Sequence, residues 1–138
     1  MKTTTKVKLF FVALAFALSA DANAANPNVV VDIFQEVSAN IRTANVSKLA
    51  ERFDNRVELL LLNTEKAYPA AQAIGLIKDF FEQNKPTSHS TLHVGGKDNK
   101  HYGIGLLTTS NGRFRTTIFL QVNGKDYTIQ QLRIENDR

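Results

Sequence analysis

The chain contains no cysteine. Disulfides, thiol catalysis and a cysteine-ligated zinc site are excluded, as is lipid anchoring through an N-terminal cysteine. A core must hold the fold unaided. The apolar run from Leu9 to Ala20 has 12 residues, short of the roughly 20 that a membrane-spanning helix needs. A phosphate-cradling loop is missing too, because Gly95-Gly96 follows a strand pattern but no helix pattern follows it. There is no internal repeat, low-complexity tract or linker, and 138 residues suit one domain.

What the first residues do contain is the order of a secretory signal. Lys2, Lys6 and Lys8 precede the apolar run, and Ala22-Asn23-Ala24 offers the small-x-small pattern of a cleavage site. The expected division is a signal peptide over 1–24 and a single mature domain over 25–138, periplasmic or extracellular, with no stable membrane insertion after cleavage. Removing three lysines and Asp21 lowers the formal net charge from +4 to +2. The remainder has no dense basic stripe and no aromatic stacking platform, so nucleic acid is not an expected partner.

Asn26-Pro27 reads as a helix start, with Asn as N-cap and Pro at the first helical position. Val30, Ile33, Phe34, Val37 and Ile41 then recur at helical spacing, predicting a helix to about Thr43. Asn45 can cap a short second helix carrying Val46, Leu49, Ala50 and Phe53, broken by Asp54-Asn55. Val57 to Leu62 reads as a buried strand and Thr64 to Ala67 as its brief partner. Pro69 opens a third helix with Ala70, Ala73, Ile74, Ile77, Phe80 and Phe81 inward, and Pro86 stops it. The rest reads as a meander: Ser88–Val94, a loop over 95–99, Tyr102–Thr109, Arg113–Val122 and Lys125–Ile134. Asn111-Gly112 and Asn123-Gly124 mark its two tight turns. Helices first and strands last predict an α+β fold.

Alternation assigns the faces. Phe114, Thr116, Ile118, Leu120 and Val122 share one side of their strand; Arg113, Arg115, Thr117, Phe119 and Gln121 share the other. Gly103 and Gly105 lie on one side of the preceding strand with Leu107, and the pair predicts a depression there and a sharp bend. In the last strand Tyr127 and Ile129 have the opposite parity to Leu132 and Ile134. A β-bulge at Gln130-Gln131 would restore a common face.

The element order resembles the NTF2-like (ketosteroid-isomerase-like) cone. More closely, FFEQNKP, His93-x-Gly95, Tyr102-Gly103-Ile104-Gly105, Asn111-Gly112-x-Phe114-Arg115 and Ile129-Gln130-Gln131-Leu132-Arg133-Ile134 resemble DUF4783, a family of uncharacterised secreted Bacteroidetes proteins. The resemblance implies three N-terminal helices packed on a curved, mainly antiparallel sheet, and a cone-shaped pocket between them. It also implies a homodimer through the sheet, which exposed Phe119 or Leu107 would serve.

His89 and His93 are four apart on a strand, about 13 Å at about 3.3 Å per residue, and cannot share one ion. No metal and no cofactor are expected. Tyr102, Arg115, Gln131 and Arg133, with His93, form the best polar group for binding a small ligand or peptide. Two arginines would suit an anion. The acids Asp32, Glu36, Asp54, Glu58 and Asp79 stand next to no tyrosine by spacing, and the serines have no paired histidine at any motif spacing. The expected function is non-enzymatic binding or protein–protein interaction through the cone pocket or the sheet. The alternative is an isomerase or hydratase with an acid/base site in the cone.

Overall fold

The structure is a computed structural model that describes residues 25–138; the expected signal peptide lies outside the described residues. Helix α1 runs Pro27–Arg42. Asn26 is its N-cap, the side-chain oxygen accepting from the Asn28 amide at 2.9 Å. Its buried stripe is Val30, Ile33, Phe34, Val37, Ser38 and Ile41. Helix α2 is the single turn Val46–Ala50, capped by Asn45. Strand β1 (Phe53–Leu61) begins earlier than the apolar run suggests, so Asp54-Asn55 lies inside it rather than in a break. Strand β2 (Thr64–Pro69) returns antiparallel, and α3 spans Ala70–Gln83.

The meander follows as β3 (Pro86–Lys97), β4 (Lys100–Thr109), β5 (Gly112–Asn123) and β6 (Asp126–Asn136). Gly95 to Lys97, expected in a loop, are paired strand residues, and the turn shrinks to Asp98-Asn99. The sheet order is β2-β1-β6-β5-β4-β3, antiparallel except where β1 runs parallel to β6. Both hairpins form, but each tight turn lies one residue from the expected Asn-Gly pair. Ser110-Asn111 turns between the paired Thr109 and Gly112, with Gly112 at φ +125° opening β5. Gly124-Lys125 turns between the paired Asn123 and Asp126, with Gly124 at φ +62°. The expected bulge in β6 also forms. Phe119 pairs with Gln131 and Leu120 with Ile129, which leaves Gln130 as the extra residue. Ile129, Leu132 and Ile134 are thereby buried together.

α1 packs on β3 and β4, and α3 on β1 and β2, all on one side of the curved sheet. The core between the layers is Phe34, Ile41, Leu49, Leu59, Ile77, Leu107, Ile129 and their neighbours. The opposite side of the sheet carries no helix among the described residues.

Candidate functional site

The depression opened by the β4 glycines is filled by two rings. A Cβ on Gly103 would stand 2.6 Å from the Phe34 ring, and one on Gly105 would stand 2.7 Å from His89 Nε2. Each glycine is a socket for an aromatic side chain arriving from α1 or β3. Phe34 is 2% exposed and His89 7%. A cleft of about 250 Å³ remains beside α3, lined by Leu59, Leu61, Thr64, Tyr68 and Leu76.

His89 is the centre of a buried polar chain that spacing does not reveal. Ser38 Oγ lies 2.6 Å from its Nδ1 and donates to its carbonyl oxygen at 3.2 Å. On the other side of the ring, Nε2 lies 2.9 Å from Thr116 Oγ1. A neutral imidazole has one donor and one acceptor nitrogen, so both hydroxyls can be satisfied. Burial pushes His89 down to about 4, and the Arg42 charge adds to that effect. The chain ties α1 to β3 and β5. One sequence signal pointed to it: Ser38 is four residues after Phe34, on the apolar stripe of the first helix.

Polar groups suited to binding gather on the helix-free side. The β-ladder sets Tyr102 beside Phe119, Phe119 beside Gln131, Gln131 beside Glu58 and Glu58 beside Ala67. This row of outward side chains forms the floor of a trough of about 580 Å³. Asp54 and Arg56 stand at one flank and Lys100 at the other, with Gln130 donating to Asp54 at 3.3 Å. The Tyr102 and Phe119 rings lie 6.2 Å apart, tilted by 41°. Tyr102 leans over Gly95, where a Cβ would collide with its ring, and its hydroxyl lies 3.4 Å from His93 Nε2. Phe119 is 37% exposed.

The five residues expected to bind all lie on this helix-free side, not inside the cone. His93, Tyr102 and Gln131 sit at or beside the trough. Arg133 is engaged, donating to Glu65 at 3.0 Å and to Glu135 at 3.5 Å, and Gln131 donates to Glu65 at 3.4 Å. Arg115 stands apart, in a polar hollow with Glu135 and Asp137. The two arginines therefore do not form one anion site. Leu107, expected to be exposed, is fully buried beneath the helices; it shares the face of Gly103 and Gly105. Among the acids, Glu36 is held below the usual carboxylate range by the Arg52 guanidinium that donates to it. Glu58 has no hydrogen-bond or ion-pair partner among the described residues. No group of three or more metal-ligating side chains occurs among them either.

The domain-of-unknown-function model DUF4783 matches residues 34–135. The chain belongs to the DUF4783 family. A DUF4783 protein from Bacteroides fragilis has 30% sequence identity and a TM-score of 0.70, the match covering 73% of this chain and 95% of that one. One from Bacteroides ovatus has 26% identity and a TM-score of 0.71, covering 74% and 93%. An NTF2-like protein of unknown function from Cytophaga hutchinsonii shares the fold at 11% identity and a TM-score of 0.57, covering 77% and 88%. No curated protein matches the chain. This DUF4783 chain is thus an NTF2-like α+β domain in which the depression at Gly103 and Gly105 is occupied by its own rings.

Proposed function

We propose that this DUF4783 domain is exported and acts without catalysis, as an association module whose helix-free sheet face pairs with a second copy. The observation that carries the reading is the half-exposed strip of Tyr102, Ile104, Leu106 and Phe119 in the middle of the sheet face that carries no helix among the described residues. Isolated apolar side chains on a surface are ordinary, but a contiguous strip rimmed by charges marks a contact surface. The charges favour self-pairing. Asp54, Glu58 and Glu65 outnumber Arg56 on the β1–β2 flank, Glu65 being paired with Arg133 of β6, and Lys97 and Lys100 lie on the β3–β4 flank. A two-fold axis in the interface, parallel to β5 and β6, sets each basic flank over the partner's acidic one. An isomerase or hydratase would need a carboxylate in a helix-side pocket. Among the described residues the buried polar ones are Ser38, His89, Thr109 and Thr116, and none of these is an acid.

Sedimentation velocity over a wide concentration range tests the reading. The mature domain is expected to sediment as a dimer, and Phe119→Asp as a monomer with an unchanged melting temperature. A wild-type domain that stays monomeric at several hundred micromolar contradicts it. The signal is tested separately, by the N-terminal sequence of the protein recovered from the native envelope: it should begin at Ala25.

A further inference from the structure

The two edges of the sheet are built differently. β2 has six residues, carries Glu65 and Lys66, and ends at Pro69. These are the usual defences of an edge strand: shortness, charge and proline. β3 has 12 residues and no Asp, Glu, Lys or Arg from Thr87 to Gly96. Its outer edge pairs with no strand among the described residues. Its defences stand apart, leaving Ser88 to Thr91 and His93 to Lys97 regularly paired. Pro86 and a first bulge at Thr87 stand at its start; a second bulge lies where the register passes from Thr91 opposite Gly105 to His93 opposite Ile104 and leaves Leu92 unpaired. Leu92 is 65% exposed, the highest value among the exposed large hydrophobic residues.

The surface beside this edge has a definite shape. On the helix-free side β3 presents only small residues before the bulge: Ser88 and Ser90, both exposed, opposite Thr108 and Leu106. They form a low shelf next to the half-buried Leu106 and Ile104. A strand laid along β3 would sit about 4.7–4.9 Å away, and a bulky side chain on it can reach across the serines to that apolar strip. Exposed lysines mark both ends of the edge, Lys85 at one and Lys97 with Lys100 at the other, against the single acid Asp98 in the intervening turn.

We propose that the β3 edge is a strand-addition site for an extended segment of another protein. That segment is uncharged over its paired length, bulky and apolar at alternate positions, and acidic at its ends. Main-chain hydrogen bonds supply the attachment, and the shelf reads the side chains. A second copy of β3 is the poorer occupant. Antiparallel self-pairing centred on Leu92 sets Lys97 of one copy against Thr87, next to Lys85 of the other, and brings like charges together.

Amide hydrogen exchange on the full mature domain tests this. The probe is a synthetic nonapeptide, Asp-Thr-Leu-Thr-Phe-Thr-Leu-Thr-Asp. The expected result is slowed exchange confined to β3 amides, with a dissociation constant that rises about tenfold in the Lys85→Glu/Lys97→Glu double variant. Ser90→Lys, which fills the shelf from an already exposed position, should abolish binding while leaving the melting temperature unchanged. Three results overturn the proposal. One is no protection of β3 at millimolar peptide; another is protection of β2 instead. The third is protection of β3 that grows with domain concentration without peptide, which assigns the edge to a second copy.

Discussion

The two sides of this sheet use the same strands under opposite rules. On the helix side every gap beside a glycine receives a ring, and the polar atoms that enter are bonded to one another. On the far side Tyr102 also leans on a glycine, Gly95, but toward solvent, where the ring can move. Alternation places these two chemistries one residue apart. Gly103 sits beneath the Phe34 ring while its neighbour Tyr102 floors the trough. The contrast teaches where a domain of this shape can change partners: a packed interior resists a ligand, whereas a half-buried face accepts one at low cost.

The largest effect should come from emptying a socket. Phe34→Ala removes a fully packed ring and is expected to cost about 3–5 kcal/mol by denaturant unfolding. A loss below 1 kcal/mol would mean that the helix side is loosely filled.

Next is the buried histidine. His89 is held at about 4 in the folded domain against an ordinary 6.5, so the unfolded chain takes up a proton first as the pH falls. The stabilisation is complete above about pH 6.5 and is lost progressively toward pH 4. The shift corresponds to about 3 kcal/mol at most. Unfolding free energies measured across this window should slope upward with pH, and His89→Gln should flatten the upper part of the slope. An equal slope in the variant would show that His89 is not the group responsible.

A smaller effect compares the two kinds of glycine. Gly103→Ala forces a methyl group against Phe34 and should cost about 1–3 kcal/mol. Gly95→Ala pushes only Tyr102, whose ring can swing outward, and should cost less than about 1 kcal/mol on the same scale. Thermal melts of the two variants side by side decide this, and equal losses would erase the distinction between the faces. The smallest effect on stability is expected at Phe119. Phe119→Asp should change the unfolding free energy by no more than about 0.5 kcal/mol, as for other exposed positions, while removing the association.

Much of the fold was legible because local chemistry decided it. Asn26-Pro27 and the parity break at Gln130-Gln131 each have a short-range physical cause and appear where expected. The two Asn-Gly signals correctly mark hairpins whose turns lie one residue away, at Ser110-Asn111 and Gly124-Lys125. The family resemblance rested on these same turn and core patterns, and it holds. Less legible was whatever depends on long-range filling. The glycine pair at 103 and 105 correctly announced a depression, yet its contents come from Phe34 and His89, distant in the chain. Ser38 and His89 are 51 residues apart, so no spacing rule could join them. The β1 start was missed because Phe53 is placed by pairing with Ile129 of β6, distant in the chain, while Asp54 to Arg56 carry no apolar signal. Arg115 and Arg133 were placed on the correct face by alternation, but alternation does not reveal that Glu65 and Glu135 already engage Arg133.

The central claim is that the depression beside Gly103 and Gly105 on the helix side is filled and the opposite face is the one open to partners. Diffraction from xenon-pressurised crystals tests it most directly, because xenon enters dry apolar voids and leaves packed cores alone. The account predicts no xenon beside Gly103 and Gly105, between Phe34 and His89. An ordered xenon site there would contradict it and return the binding function to the interior of the cone.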